Sequence, residues 1–205
     1  MSMIINDDHV EARLIEERRR QGLDRFDEVW NGVYVMSPLA NNEHQRVSGE
    51  LYAALLSIVG KTGMVYPGAN VTDQADDWTQ NYRVPDVLVF LNATSAEDRG
   101  THWFGGPDFA IEVVSRGDRT LEKLDFYAKV NTKELLVVDR EPWQLTLYRR
   151  DKAAMKVCGK STLDDGNTVA SNVIPARFSL QSEDNSIRVD DMTRPTLRSN
   201  PIRIS

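Results

Sequence analysis

The sequence predicts an α/β protein in which a mixed β-sheet is flanked by helices and preceded by an N-terminal helix and a β-hairpin. Three observations carry this. Val47, Leu51, Ala54, Leu55 and Ile58 recur at helical spacing across 42–61. Short β-branched runs at 83–90, 109–115 and 134–139 are interrupted by a helical stretch at 120–130. Asn31-Gly32, the dipeptide that best supplies two positive φ angles in succession, separates two short apolar runs.

In chain order, 7–20 reads as a charged helix with Asn6 or Asp7 as its cap and Gly22 as its stop. The hairpin follows at 27–36. The helix over 42–61 ends at Gly63, a residue suited to a helix terminus. Strands are expected at 64–71, 83–90 and 109–115, then the helix at 120–130 and a strand at 134–139. Arg140, Glu141 and Pro142 form a turn, and 143–149 returns antiparallel, so the sheet is mixed. Asp164, Asp165, Gly166 and Asn167 mark another turn. The organisation is a helical extension (1–22), one main domain (23–184) and a polar C-terminal tail (185–205) with little periodic apolar content, expected to be partly ordered at best.

Composition sets modest bounds. The 205 residues suffice for one substantial core, and 40% hydrophobic content without an apolar run near 18 residues excludes a helical membrane span. The first residues lack the basic and apolar regions of a secretory leader, and Cys158 is the single cysteine, which together lead to an expected cytoplasmic location. Cys158 has no histidine near it in sequence and reads as structural. The net charge of -6 argues against a broad surface coated by nucleic acid, so any phosphate-binding surface is local.

Asp86 and Glu112 each sit inside an apolar strand-like run, where a carboxylate is costly unless a cation, a metal or dense hydrogen bonding compensates it. By alternation Val84, Asp86, Leu88 and Phe90 share one strand face, as do Ala110, Glu112 and Val114. Adjacent strands would bring the acids together, and Mg²⁺ takes one or two carboxylates with water and phosphate oxygens. The alternative is an ion-pair network with Arg83 or Arg116. In the following helix Asp118, Glu122, Asp125 and Lys129 cluster on one side, while Lys123 shares another with Tyr127 and is placed to face the sheet. A lysine there stabilises charge developing on an attacked phosphodiester; the alternative is a surface lysine extended past Tyr127.

Taken together, the segment from Glu28 through Trp30 to Gly32, Pro38 followed by His44, Val84-Pro85-Asp86, the run from Pro107 through Glu112 to Ser115, Lys123 with Tyr127, and the run from Glu134 to Asp139 resemble the PD-(D/E)XK nuclease superfamily, and within it the Uma-type family of restriction-endonuclease-like proteins. The resemblance covers most of the chain. It implies a restriction-endonuclease-like core, Asp86 and Glu112 as ligands of Mg²⁺ with Mn²⁺ as a substitute, Lys123 as the catalytic lysine, and DNA as the partner. One position departs from the superfamily, whose lysine stands two residues after the acid: Val114 occupies that place here, and the resemblance implies that the lysine has moved to Lys123. Glu28 matches a family acid and is either a third ligand, a holder of a metal-bound water, or a solvated hairpin residue. His44 opens the long helix within its apolar stripe and is either a proton carrier or phosphate contact, or a structural histidine. Tyr127 completes the candidate set. A homodimer fits a duplex with two strands to cut. The competing class is a non-catalytic nucleic-acid-binding or regulatory interaction protein that keeps the fold.

Overall fold

Asn31 and Gly32 take φ of 50° and 83°, which turns the chain back on itself with the handedness that twisted strands require. In a computed structural model of the protein, which describes residues 8–37, 40–115, 117–194 and 201–204, this turn joins β1 (Glu28–Trp30) to β2 (Val33–Val35). The hairpin is preceded by helix α1 (Asp8–Gln21), stopped at Gly22 with φ 66°. Arg18 near the helix end bonds both oxygens of the buried Asp27 at 2.6 Å, so the helix is tied to the start of the hairpin. Pro38 and Arg116 lie outside the described residues.

Helix α2 (Asn42–Val59) is capped by Asn41, whose side chain accepts the His44 N–H at 2.9 Å. It ends at Gly60, three residues before the expected Gly63, because Gly60 adopts φ 54° and its N–H closes on the Leu56 carbonyl. The strands after it are β3 (Gly63–Tyr66), β4 (Val71–Thr72), β5 (Tyr82–Arg83), β6 (Val87–Leu91), β7 (Glu97–Asp98), β8 (Trp103–Phe104) and β9 (Phe109–Val113). The strand expected at 83–90 is split, since Pro85 has no N–H to give a ladder and Val84-Pro85-Asp86 passes between sheets. Thr120–Lys123 forms a 3₁₀ turn leading into α3 (Leu124–Lys129), and β10 (Glu134–Arg140) and β11 (Trp143–Asp151) follow as an antiparallel pair. The chain continues through β12 (Ala154–Thr162), β13 (Thr168–Ala170), β14 (Ala176–Gln181), β15 (Ser186–Asp191) and β16 (Ile202–Arg203).

Among the described residues the strands form three sheets. The central one has the order β12-β11-β10-β9-β6-β3, mixed because β9 and β10 run parallel while their neighbours are antiparallel. A second, in the order β2-β1-β5-β4-β8-β7, carries the hairpin. The third is β13-β14-β15-β16. Alternation splits the central strands cleanly. Val87, Val89, Phe109, Ile111, Val113, Leu136 and Val138 pack with Val47, Leu51 and Leu55 of α2. Leu88, Phe90, Ala110, Leu135 and Val137 pack with Phe126 and Tyr127 of α3. Glu112 therefore falls on the α3 side.

In the C-terminal tail, expected to be partly ordered at best, the described residues 185–194 and 201–204 include two strands packed into the core. Ile187, Val189, Ile202 and Ile204 are buried in the α2-side core, and β15 pairs along its length with β14. Ile187 and Val189 do alternate with polar neighbours, but over too few residues to stand out; their burial needs β14 and α2, which are remote in sequence.

Candidate active site

Glu112, Lys123, Glu28 and Tyr127 meet beneath the α3 face of the central sheet. Lys123 Nζ donates to Glu112 Oε1 and to Glu28 Oε1, both at 3.0 Å. The Tyr127 hydroxyl donates to the same Glu112 oxygen. All four residues are buried. Lys123 and Tyr127 are neighbours one helical turn apart, and together they reach the one acid that alternation turns toward them. Glu28 Oε1 also accepts the Val84 N–H at 2.9 Å, and Oε2 accepts the Trp30 indole N–H at 2.7 Å. The hairpin acid is thus a buried, fully engaged group, and the solvated alternative is excluded by its geometry.

Asp86 approaches from the end of the same sheet. It stands just before β6, and its Oδ2 accepts the Val113 N–H at 2.7 Å, one residue beyond Glu112. His44 Nε2 lies 3.3 Å from the same oxygen, while its buried Nδ1 has no partner among the described residues. Arg83 does not reach either acid. Its guanidinium bonds the Val29 carbonyl, Asn81 and the Tyr82 carbonyl, and stacks between Trp30 (4.5 Å) and Phe126 (4.4 Å). Arg119 covers the Trp30 ring at 4.4 Å.

A cavity of about 440 Å³ joins these groups, with Glu28, His44, Asp86, Glu112, Asp118 and Lys123 in its wall. Burial pushes Glu112 up to about 8; Lys123 opposes this, and the charges of Asp86 and Glu28 add to it. Burial also works against the Lys123 ammonium, but Glu112 and Glu28 outweigh it and hold the amine above the ordinary lysine range. The two partners move in the same direction because one amine shared between two acids does not restore what desolvation takes from Glu112. Tyr127 is raised by burial and then by Glu112, so its hydroxyl stays a donor. At His44 burial is outweighed by the hydrogen bond and charge of Asp86, raising the imidazole, with Arg140 opposing.

Would a divalent ion suit this donor set? Asp86 Oδ1 and Glu112 Oε2 receive no hydrogen bond from the described residues, and both side chains line the cavity. Hard carboxylate oxygens at a site with more acid than base, one acid raised by burial and further by the charges of Asp86 and Glu28, fit Mg²⁺ or Mn²⁺ completed by water and phosphate oxygens. Among the described residues no group of three or more His, Cys, Asp or Glu side chains is arranged to hold a metal ion. An ion held here would take two carboxylates from the protein, those of Asp86 and Glu112, and not a closed cage.

A family profile described as "Putative restriction endonuclease", Uma2, matches residues 15–183. This chain belongs to the Uma2 family. A solved structure with related architecture is described as a "putative nuclease belonging to DUF820" from Anabaena variabilis; it is 17% identical, covers 64% of this chain and 75% of its own length, and superposes with a TM-score of 0.53. At that identity it shares the fold of this Uma2 chain. None of the curated proteins matches. The restriction-endonuclease-like fold read from the Uma2 motifs is the fold observed.

Each sequence-derived candidate, Asp86, Glu112, Lys123, Glu28, His44 and Tyr127, lies in this one cluster. The supporting residues were not foreseen: Trp30, Arg83 and Arg119 form the stack that holds Glu28 and the Lys123 turn together. The available signal was the placement of Glu28 and Trp30 two residues apart on one strand, which puts both on one face.

Proposed function

We propose that this chain is a metal-dependent endonuclease that hydrolyses phosphodiester bonds, with DNA as its substrate. The observation that carries the reading is the Lys123 amine on Glu112 at the wall of a cavity into which Asp86 also opens. The lysine reaches this point from a helix although Val114 occupies the superfamily's lysine position. Family membership supports the same reading, as does the description of the structural neighbour as a nuclease.

In this reading Asp86 and Glu112 hold Mg²⁺ or Mn²⁺. The bound ion would supply Lewis acidity and a water of lowered pKa. Lys123 uses two N–H groups on Glu112 and Glu28, and its third is free to meet a phosphate oxygen as negative charge builds there. Tyr127 fixes the Glu112 carboxylate, and Trp30 and the Val84 N–H fix Glu28, so the amine is pre-positioned. His44, against Asp86 at the cavity wall, is placed to carry a proton to or from the reacting oxygens.

One feature favours a second reading, a non-catalytic module that retains the fold. Lys123 already compensates part of the acidic charge, as a purely structural ion-pair cluster would. Cleavage of supercoiled plasmid, single-stranded DNA and RNA with Mg²⁺, Mn²⁺ or chelator separates the two, comparing native chain with Asp86→Ala and with a Lys123→Ala protein shown to be folded by its melting transition. Metal-dependent cutting lost in both variants supports the endonuclease. Absence of cutting together with a melting temperature indifferent to Mn²⁺ supports the module, because a ligand bound by the native state at a hundred times its Kd should stabilise it by about 2.7 kcal/mol.

A further inference from the structure

Beside the catalytic cavity lies a second one of about 400 Å³, and the two share a wall made by Arg25, Phe26 and Val84. Phe26 is 42% exposed at this seam. Its ring is seated on Gly68, where an added Cβ would stand 3.0 Å from Phe26 Cε1 and where the backbone has φ 76°. The Arg25 guanidinium sits 5.3 Å from the ring centre and forms no ion pair among the described residues, so a positive charge is available between the two cavities. Farther in, Tyr66, Trp103 and His102 line the second cavity, and His102 is itself stacked on Trp78 at 4.9 Å with the rings 17° apart. Asp98 lines it as well; one of its oxygens accepts the Gly100 N–H at 2.8 Å and the other has no partner among the described residues.

This lining suits a particular chemistry. An aromatic wall takes a flat ring, a free carboxylate oxygen takes an N–H donor, and the same carboxylate repels phosphate. A nucleobase carrying an exocyclic amine meets all three conditions, while its phosphate would meet Arg25 at the seam. A base in duplex has its faces stacked and its edge paired, so only an unpaired nucleotide can enter.

We propose that the second cavity is a subsite for an unpaired nucleobase, read by Phe26 and Asp98, and that the substrate is a single-stranded or locally opened strand whose phosphate lies across Arg25. This rests on the phosphodiesterase reading of the first cavity. Asp98 favours cytosine, adenine or guanine, which offer an exocyclic amine, over thymine or uracil, whose one ring N–H lies between two carbonyl oxygens that a carboxylate repels.

The test is fluorescence anisotropy of labelled single-stranded dC, dA and dT oligonucleotides, the same oligonucleotides with one abasic position, and a duplex, all in chelator so that binding is read without cleavage. The native chain is compared with Phe26→Leu, Phe26→Ala and Asp98→Asn proteins of unchanged melting behaviour; Phe26→Leu keeps the bulk over Gly68. The native chain is expected to bind single strands more tightly than duplex and dC or dA more tightly than dT. Either Phe26 variant should lose roughly tenfold in affinity, the scale of one base stacked on an aromatic ring, and Asp98→Asn should level the difference between dC and dT. Equal affinity for intact and abasic oligonucleotides, or for native chain and both Phe26 variants, overturns the subsite, as does an absence of oligonucleotide binding. Plasmid cleavage with Mn²⁺, measured in parallel, tells the two failures apart. Cutting without base-dependent binding leaves the endonuclease standing and removes the subsite, whereas base-dependent binding without cutting does the reverse.

Discussion

The Lys123 ammonium lies 3.0 Å from the carboxylate of Glu28, across 95 residues of sequence and inside the protein. A helix that begins as a 3₁₀ turn and a three-residue hairpin strand are thereby joined by a charge pair that neither element would bury alone.

Breaking this pair is expected to be expensive. Lys123→Ala leaves Glu28 and Glu112 buried together without their shared cation, and removing one partner of a buried ion pair typically costs about 3–5 kcal/mol. Glu28→Gln keeps an acceptor for the Val84 N–H and should cost less, about 1–3 kcal/mol. Urea denaturation of both single variants and of the double variant checks this. The double variant should be more stable than the sum of the single losses allows, because each change removes the other's reason to be costly; strict additivity would show that the pair is not coupled.

His44 predicts the pH dependence of stability. Its folded-state pKa is raised by Asp86, against burial and Arg140. A group raised on folding contributes its full stabilisation below its unfolded value, here 6.5, and that contribution is lost as pH rises through the raised folded value. Unfolding free energy should therefore decline as pH rises through the raised His44 value, by about 1.5 kcal/mol for a hydrogen bond to a charged partner, added to the decline that Glu112, raised to about 8, contributes in the same direction. His44→Gln should make that slope shallower without abolishing it. A His44→Gln profile parallel to the native one would remove the histidine from the account.

The C-terminal strands should behave as core. Ile187 is fully buried and Ile202 nearly so, and truncating a buried isoleucine to alanine costs about 2–5 kcal/mol. Ile187→Ala and Ile202→Ala are expected to lower the unfolding free energy read from urea denaturation by amounts in that range. A loss below about 0.5 kcal/mol, the usual effect of a surface change, would show that this segment is peripheral.

Legibility in the sequence followed the length of the signal. The α2 stripe, from Val47 to Ile58, spans about three turns and Asn31-Gly32 permits few other conformations, so both were readable. Asp86 and Glu112 were conspicuous because a charge within an apolar run demands compensation. The break at Val84-Pro85-Asp86 was understated, since the apolar pattern continues through Pro85 while the hydrogen-bond ladder does not. Glu28 was ambiguous because a short hairpin strand has one wet face and one dry face, and nothing local says which face an acid takes. Trp30, Arg83 and Arg119 come from three separate elements and stack only once those elements are assembled.

By itself, then, the sequence determined the alternation of strands and helix, the handedness of the hairpin, and the two acids whose charge had to be compensated, because each follows from local periodicity, backbone sterics or the cost of burying charge. Only the tertiary structure decided that Lys123 answers both Glu112 and Glu28, that Asp86 shares their cavity with His44, and that Ile187 and Ile202 close the core from the C-terminal end. Those outcomes depend on which surfaces meet, and desolvation at a contact is a property of both surfaces, not of either stretch of chain.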